Sequence, residues 1–257
     1  MRWLQHSLWI AARQIRALLR QPWYIAFTLV QPIIWLLLYG QLFKRVVELP
    51  GFNATSYINF LTPGVVVMTA LFSAGWNGMG MISDIDRGTL DRFLVSPVSR
   101  VALIGGRLIS MAVVNAIQTF ILLGLGFIMG ARFAGGLAGV LVLLVCAVLI
   151  SMPIAALSNA LALVVRKEES VIGASNFLLL PLTFLSPVFM AKNVMPDWIR
   201  SVSRFNPVNW SVEAARSALS ADPNWPLVLL RIGFLVAFAL FGAGLATRAF
   251  RAYQSSV

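Results

Sequence analysis

The chain has 257 residues, 59% of them hydrophobic and only 11% charged, with a mean hydropathy of +0.85. A soluble domain carries nearer ~25% charged residues, so composition excludes an ordinary water-soluble globule. The net charge of +11 would suggest nucleic acid in a soluble chain. Here the basic residues sit at the ends of apolar stretches, which the positive-inside rule explains without a nucleic-acid partner.

Residues 3–20 have helical period. Leu4, Leu8, Ala11, Ile15 and Leu18 fall on one stripe, with Arg2, Gln5, His6, Arg13, Arg16 and Arg20 opposite. This pattern predicts an interfacial helix lying in the headgroup plane, with Arg13, Arg16 and Arg20 reaching anionic membrane lipids. An ordinary helix docked on protein is the alternative. Gln21-Pro22 ends the element and turns the chain.

Six stretches follow with almost no charge: residues 25–43, 61–82, 108–130, 139–164, 171–190 and 228–247. Crossing ~30 Å of hydrocarbon takes roughly 20 apolar helical residues. The predicted fold is therefore an all-α polytopic membrane protein with six transmembrane helices. These elements use nearly the whole length, predicting one transmembrane domain over 1–257 with no appended soluble domain. The basic opening before a long span does not read as a cleavable signal. Pro32, Pro153 and Pro181 lie inside spans, and Pro187 follows the fifth. Such prolines free carbonyls that neighbours must satisfy, in walls that change shape or in static kinks. Asn77, Asn115 and Gln118 are polar residues in or near spans, facing other helices as pathway or as packing. Gly75, Gly78, Gly80, Gly124, Gly126 and Gly130 are read as close-approach points.

The long loop 191–225 is amphipathic rather than simply polar. Trp198, Ile199, Val202 and Phe205 recur at near-helical spacing before Asn206-Pro207. Asn209 stands as the candidate cap of a helix over 210–219, with Val212, Ala215 and Leu219 on one face. Two short re-entrant or interfacial helices are expected before the last span. Counting charges, the segments 1–24, 83–107, 165–170 and 248–257 carry 12 of the 20 basic residues, which predicts cytoplasmic termini.

Enzyme signatures are absent: no G-x-x-x-x-G-K-[ST], H-E-x-x-H or G-x-S-x-G, and no paired carboxylates in a span. His6 is the only histidine and Cys146 the only cysteine, an apolar filler, so no metal site or disulfide is expected. Span interiors hold no Asp, Glu or His, which argues against a self-powered carrier. Energy would then come from another polypeptide. The polar stretch 83–100 gathers Asp84, Asp86 and Asp91 with Arg87, Arg92 and Arg100. Leu90, Phe93 and Leu94 add an apolar face before Ser96-Pro97. Mixed signs favour a specific protein contact over plain lipid binding, a solvated loop being the alternative.

Three motifs make the chain recognisable. They are Tyr57-x-x-Phe60-Leu61-Thr62-Pro63-Gly64, then Asp84-x-Asp86-Arg87-Gly88-Thr89-Leu90-Asp91-Arg92-Phe93 with Ser96-Pro97-Val98-Ser99-Arg100, and Asn206-Pro207-Val208-Asn209-Trp210-x-Val212-Glu213-Ala214-Ala215-Arg216. Together they resemble the ABC-2 type exporter permeases, nearest the daunorubicin-resistance branch. The resemblance implies the membrane subunit of an ATP-driven exporter, not catalytic alone. ATP and Mg2+ would be bound by a separate ABC ATPase subunit, in two copies. A second permease, this chain again as a homodimer or a paralogue as a heterodimer, would complete the assembly. Residues 84–99 would form the coupling helix, with Asp84, Asp86, Arg87, Gly88, Leu90, Asp91, Arg92, Phe93, Ser96 and Pro97 at the ATPase. The implied location is the bacterial cytoplasmic membrane, and the implied cargo a hydrophobic or amphipathic small molecule. A lipid or lipid-linked polysaccharide is the alternative on the same scaffold. A non-transporting membrane assembly protein is the alternative of another class.

Overall fold

The computed structural model describes residues 22–48, 56–87 and 100–254. Every regular element among them is helical: α1 (Pro22–Leu42), α2 (Tyr57–Gly75), α3 (Asn77–Asp86), α4 (Arg100–Ile128), α5 (Gly136–Val165), α6 (Glu168–Phe184), α7 (Asp197–Ser203), α8 (Pro207–Leu219) and α9 (Trp225–Gln254). Short 3-10 turns occupy Lys44–Glu48 and Lys192–Val194.

Four described stretches are long and apolar enough to cross a membrane: Tyr57–Asp86, Ile109–Ile128, Gly136–Val165 and Trp225–Leu245. Helix α1 adds a shorter apolar run, Ala26–Leu42, and α6 has 17 residues. Large apolar side chains line the outside, Phe27, Phe127, Leu137, Phe177 and Leu240 among them. Bare in water, such a surface would drive aggregation; in a bilayer it is the solvated face. The protein is a polytopic helical membrane protein.

The core is built around α2 and α5. The apolar window of Tyr57–Asp86 is 78% buried, against 22% for Trp225–Leu245, so α2 is central and α9 peripheral. Helix α5 packs against α2, α3, α4, α6, α8 and α9. Leu61, Val65 and Leu71 of α2 are fully enclosed in one cluster with Leu143, Cys146 and Ile150 of α5 and Val212 and Ala215 of α8. Small residues let these helices meet. A Cβ at Gly78 would come within 2.5 Å of the Ser158 carbonyl, so only glycine permits α3 to lie on α5.

Several expectations change. The span expected over 61–82 is two helices, because the chain leaves α2 at Trp76 and begins α3 at Asn77. The span expected over 171–190 is helical only to Phe184; Leu185 leaves the helix as Pro187 approaches. Helix α8 starts at Pro207, not Trp210. Its cap is Asn206, whose Oδ1 accepts from the Val208 N–H at 2.9 Å, with Pro207 at the first turn where no amide partner is needed. Asn209 is inside the helix and fully buried. Gly75, Gly78 and Gly126 do face close neighbours, but Gly80 and Gly124 have nothing within 4 Å of a built Cβ. Gly130 instead adopts φ +93 at the turn after α4. The interfacial helix expected over 3–20, with Arg13, Arg16 and Arg20, lies outside the described residues.

Candidate functional site

Three polar assemblies interrupt the apolar interior. The first is the break between α2 and α3. Trp76 adopts φ −89, ψ −1, its N–H returning to the Phe72 carbonyl. This interruption frees backbone groups in a place without bulk water, where each needs a partner. The Gly75 carbonyl accepts from Ser158 Oγ of α5 at 2.5 Å and from Ser175 Oγ of α6 at 2.7 Å. Ser158 Oγ in turn accepts from the Gly78 N–H at 3.0 Å. Asn159 Nδ2 donates to Asn77 Oδ1 at 3.3 Å, so Asn77 serves the contact between α3 and α5. Below the break, Met81 and Ile82 pack with Ala162, Leu163 and Val171 in a second, smaller core. Two side chains of α5 and α6 thus hold a discontinuous helix in one arrangement.

Helix α3 carries the break towards the polar stretch singled out in the sequence. Asp84 is half-buried, while Asp86 and Arg87 are exposed at its end. Gly88, Leu90, Asp91, Arg92, Phe93, Ser96 and Pro97 lie outside the described residues.

The second assembly is on α4. Asn115 Nδ2 donates to Ser151 Oγ of α5 at 2.9 Å, and Gln118 Nε2 to Thr28 Oγ1 of α1 at 3.3 Å. Each side chain therefore ties α4 to a neighbouring helix. The carbonyl oxygens of both side chains are buried with no hydrogen-bond partner, as is the Trp76 indole Nε1. Gln118 and Trp76 line a cleft between α1, α2 and α4, shared with Thr28, Gln31, Thr69 and Phe72.

The third assembly ties α8 to the ends of α2, α6 and α9. Arg216 donates through Nε to the Phe60 carbonyl at 3.0 Å, through Nη1 to that of Pro187 at 2.6 Å, and through Nη2 to that of Val188 at 2.8 Å. Its guanidinium also lies 3.4 Å from the centre of the Phe60 ring. Desolvation of this enclosed head group pulls its pKa down to about 9, opposed by Tyr57 and Glu213, and it stays cationic at neutral pH. Asn206 Nδ2 takes the carbonyls of Leu182 and Leu185 at 2.7 and 3.0 Å, completing the end of α6. Glu213 pairs with Lys192 and, at 2.8 Å, with Arg231 of α9. The sequence had Asn206 as a helix break and Glu213 and Arg216 as motif positions, with no contact assigned to any of them. The available signal was charge inside an amphipathic helix whose other face is apolar.

The interior thus holds helix breaks and helix ends tied to neighbouring helices by side-chain hydrogen bonds. The family model described as ABC-2 type transporter matches residues 5–220. The chain belongs to that family. It is 28% identical over 209 residues to the daunorubicin resistance ABC transporter permease protein DrrB1 of Streptomyces coeruleorubidus, covering 80% of this chain and 72% of that protein. It is 27% identical over 255 residues to the inner membrane transport permease YadH of Escherichia coli K12, covering 92% and 94%. As an ABC-2 family member the chain is a transport permease and not itself a catalyst.

Proposed function

We propose that this chain is the membrane subunit of an ATP-driven exporter that moves a hydrophobic or amphipathic small molecule out of a bacterial cell. In this reading it crosses the cytoplasmic membrane six times, with both termini and residues 83–107 inside and α7 and α8 outside. A separate ABC ATPase, in two copies, binds ATP and Mg2+, and a second permease copy or paralogue completes the pathway. The observation that supports it most is the broken helix. Helix α3 leads from a discontinuity in the most buried helix to the mixed-charge stretch that would dock on the ATPase. A push on α3 reaches α2, α5 and α6 through the Gly75 carbonyl and its two serines. Likeness to DrrB1, named for daunorubicin resistance, favours a drug-like cargo over a lipid-linked glycan.

Purified alone, the chain should hydrolyse no ATP above background. Co-expressed with a cognate ABC ATPase, it should co-purify as two permeases with two ATPases and confer ATP-dependent uptake of an amphipathic dye into inverted vesicles. Transport by the chain with no ATPase present would refute the proposal.

A further inference from the structure

A groove of about 400 Å³ lies between α6 and α7 in a single copy of the chain. Phe177, Leu178, Pro181 and Leu182 form one wall and Val202 and Phe205 the other, and no charged residue lines it. The buried positions of α6 are Val171, Ser175, Leu179 and Thr183, a single stripe, so the groove lies on the face turned away from the core. Phe177 is 84% exposed and Phe205 82%. Three hydrogen bonds hold the groove open. Asn206 Nδ2 ties the turn after α7 to the carbonyls of Leu182 and Leu185, and Trp210 Nε1 holds the Arg204 carbonyl at 2.7 Å. Asn206 Oδ1 is taken by the Val208 N–H, so the one amide on the lining is already satisfied.

The rim differs from the floor. Trp198, Val202 and Phe205 recur at helical spacing and are exposed, the stripe of a helix lying at a lipid boundary. Arg200 is committed to Asp197 at 3.1 Å and to the Met195 carbonyl at 3.2 Å. Arg204 is exposed beside Phe205 and makes no ion pair among the described residues. We infer that the groove is a binding site for an anionic phospholipid of the surrounding bilayer, with an acyl chain between α6 and α7 and the phosphate at Arg204. The apolar walls have no free hydrogen-bonding group for a polar ligand and suit an alkyl chain. The unpaired cation complements a phosphate at the level where Trp198 marks the headgroups. A second copy of the chain fits less well, because a two-fold contact centred here sets groove against groove and cation against cation, filling neither. The inference goes beyond the transport reading and rests only on the membrane placement of the chain, so neither ATPase nor cargo enters its test.

The probe is phosphatidylglycerol carrying a diazirine in one acyl chain, with phosphatidylcholine carrying the same chain as control. Each is mixed into phosphatidylcholine nanodiscs holding the full-length chain. After illumination, mass spectrometry should find phosphatidylglycerol favoured about five-fold on peptides containing Phe177–Leu185 and Val202–Asn206, the value of one basic residue at a lipid surface. The two lipids should label the exposed face of α9 equally. Arg204→Gln should bring the ratio at the groove close to one, while Arg132→Gln, at another exposed arginine, should leave it unchanged. Leu178→Trp should fill the groove and lower labelling there by both lipids. Arg204 is exposed, so Arg204→Gln keeps the test decisive should Leu178→Trp fail to fold. Equal labelling by the two lipids at the groove, or a ratio untouched by Arg204→Gln, would overturn the inference. Equal labelling that an amphipathic dye abolishes would give the groove to cargo instead. A high-yield Phe177→Cys disulfide between copies, in a Cys146→Ala background, would give the face to a second copy and overturn it too.

Discussion

Arg216 illustrates how one residue fixes the relation of several helices. Its three hydrogen bonds run to carbonyls of Phe60, Pro187 and Val188, none of which belongs to its own helix. Only a planar fork reaches three separated acceptors at once. Arg216→Lys should therefore behave as a damaging change although charge is kept. Arg216→Leu should cost roughly 3 kcal/mol, because charge-assisted bonds are lost and carbonyls are left bare. Thermal unfolding of the purified chain in detergent checks both, and a wild-type midpoint for Arg216→Lys would show that charge alone matters. Little of this was visible in the sequence. Arg216 read only as the last position of a motif and Asn209 as a cap, because a helix of mixed polarity does not reveal which face the rest of the chain will cover. Asn206, with proline after it, carried the stronger capping chemistry.

The spans were legible at the scale of elements because hydrocarbon thickness dictates length: α5 and the apolar runs Ile109–Ile128 and Trp225–Leu245 lie close to the expected stretches, while α4 begins earlier, at Arg100, and α9 continues to Gln254. The break at Trp76 was hidden for the same reason: residues 61–82 remain apolar through it, and hydropathy does not register a one-residue interruption of a helix. Its trace was the serines of other helices, spaced far away in sequence. Ser158 and Ser175 both donate to the Gly75 carbonyl, so each backs up the other. Ser158→Ala and Ser175→Ala singly should each cost under about 1 kcal/mol, while the double variant should lose roughly 1–3 kcal/mol, as the carbonyl becomes unpaired. A double-mutant cycle on unfolding midpoints measures that excess. Strict additivity would mean that water or another group already satisfies the carbonyl. Gly78→Ala should be worse than either serine variant, since its Cβ meets the α5 backbone rather than a movable side chain.

For the whole molecule, the arrangement of charge matters more than its amount. The ion pairs around Glu213 lie at the α8 end, whereas the acids of α3 lie at the opposite end of α2, with Asp86 and Arg87 exposed. A transmembrane protein that exposes mixed charge beyond a broken helix has a lever and a handle. In the proposed assembly the handle is residues 84–99, which composition marked out but whose apolar face needs a partner to be understood. Truncating one side of a desolvated charged contact costs about 2–5 kcal/mol, while a charge at the rim changes little. Asp86→Ala and Arg92→Ala should therefore weaken ATPase co-purification or uncouple hydrolysis from efflux, with membrane insertion unaffected. Phe93→Ala should do the same, because buried aromatic anchors dominate contact energies. Arg13→Ala and Arg16→Ala should act mildly and only with anionic lipid, since interfacial charge is shared and screened. Pull-down of the ATPase, read beside dye efflux in vesicles of defined lipid, separates these outcomes. If all three loop variants retain wild-type association and transport, the energy of ATP enters this chain elsewhere, and the serines that brace Gly75 serve stability alone.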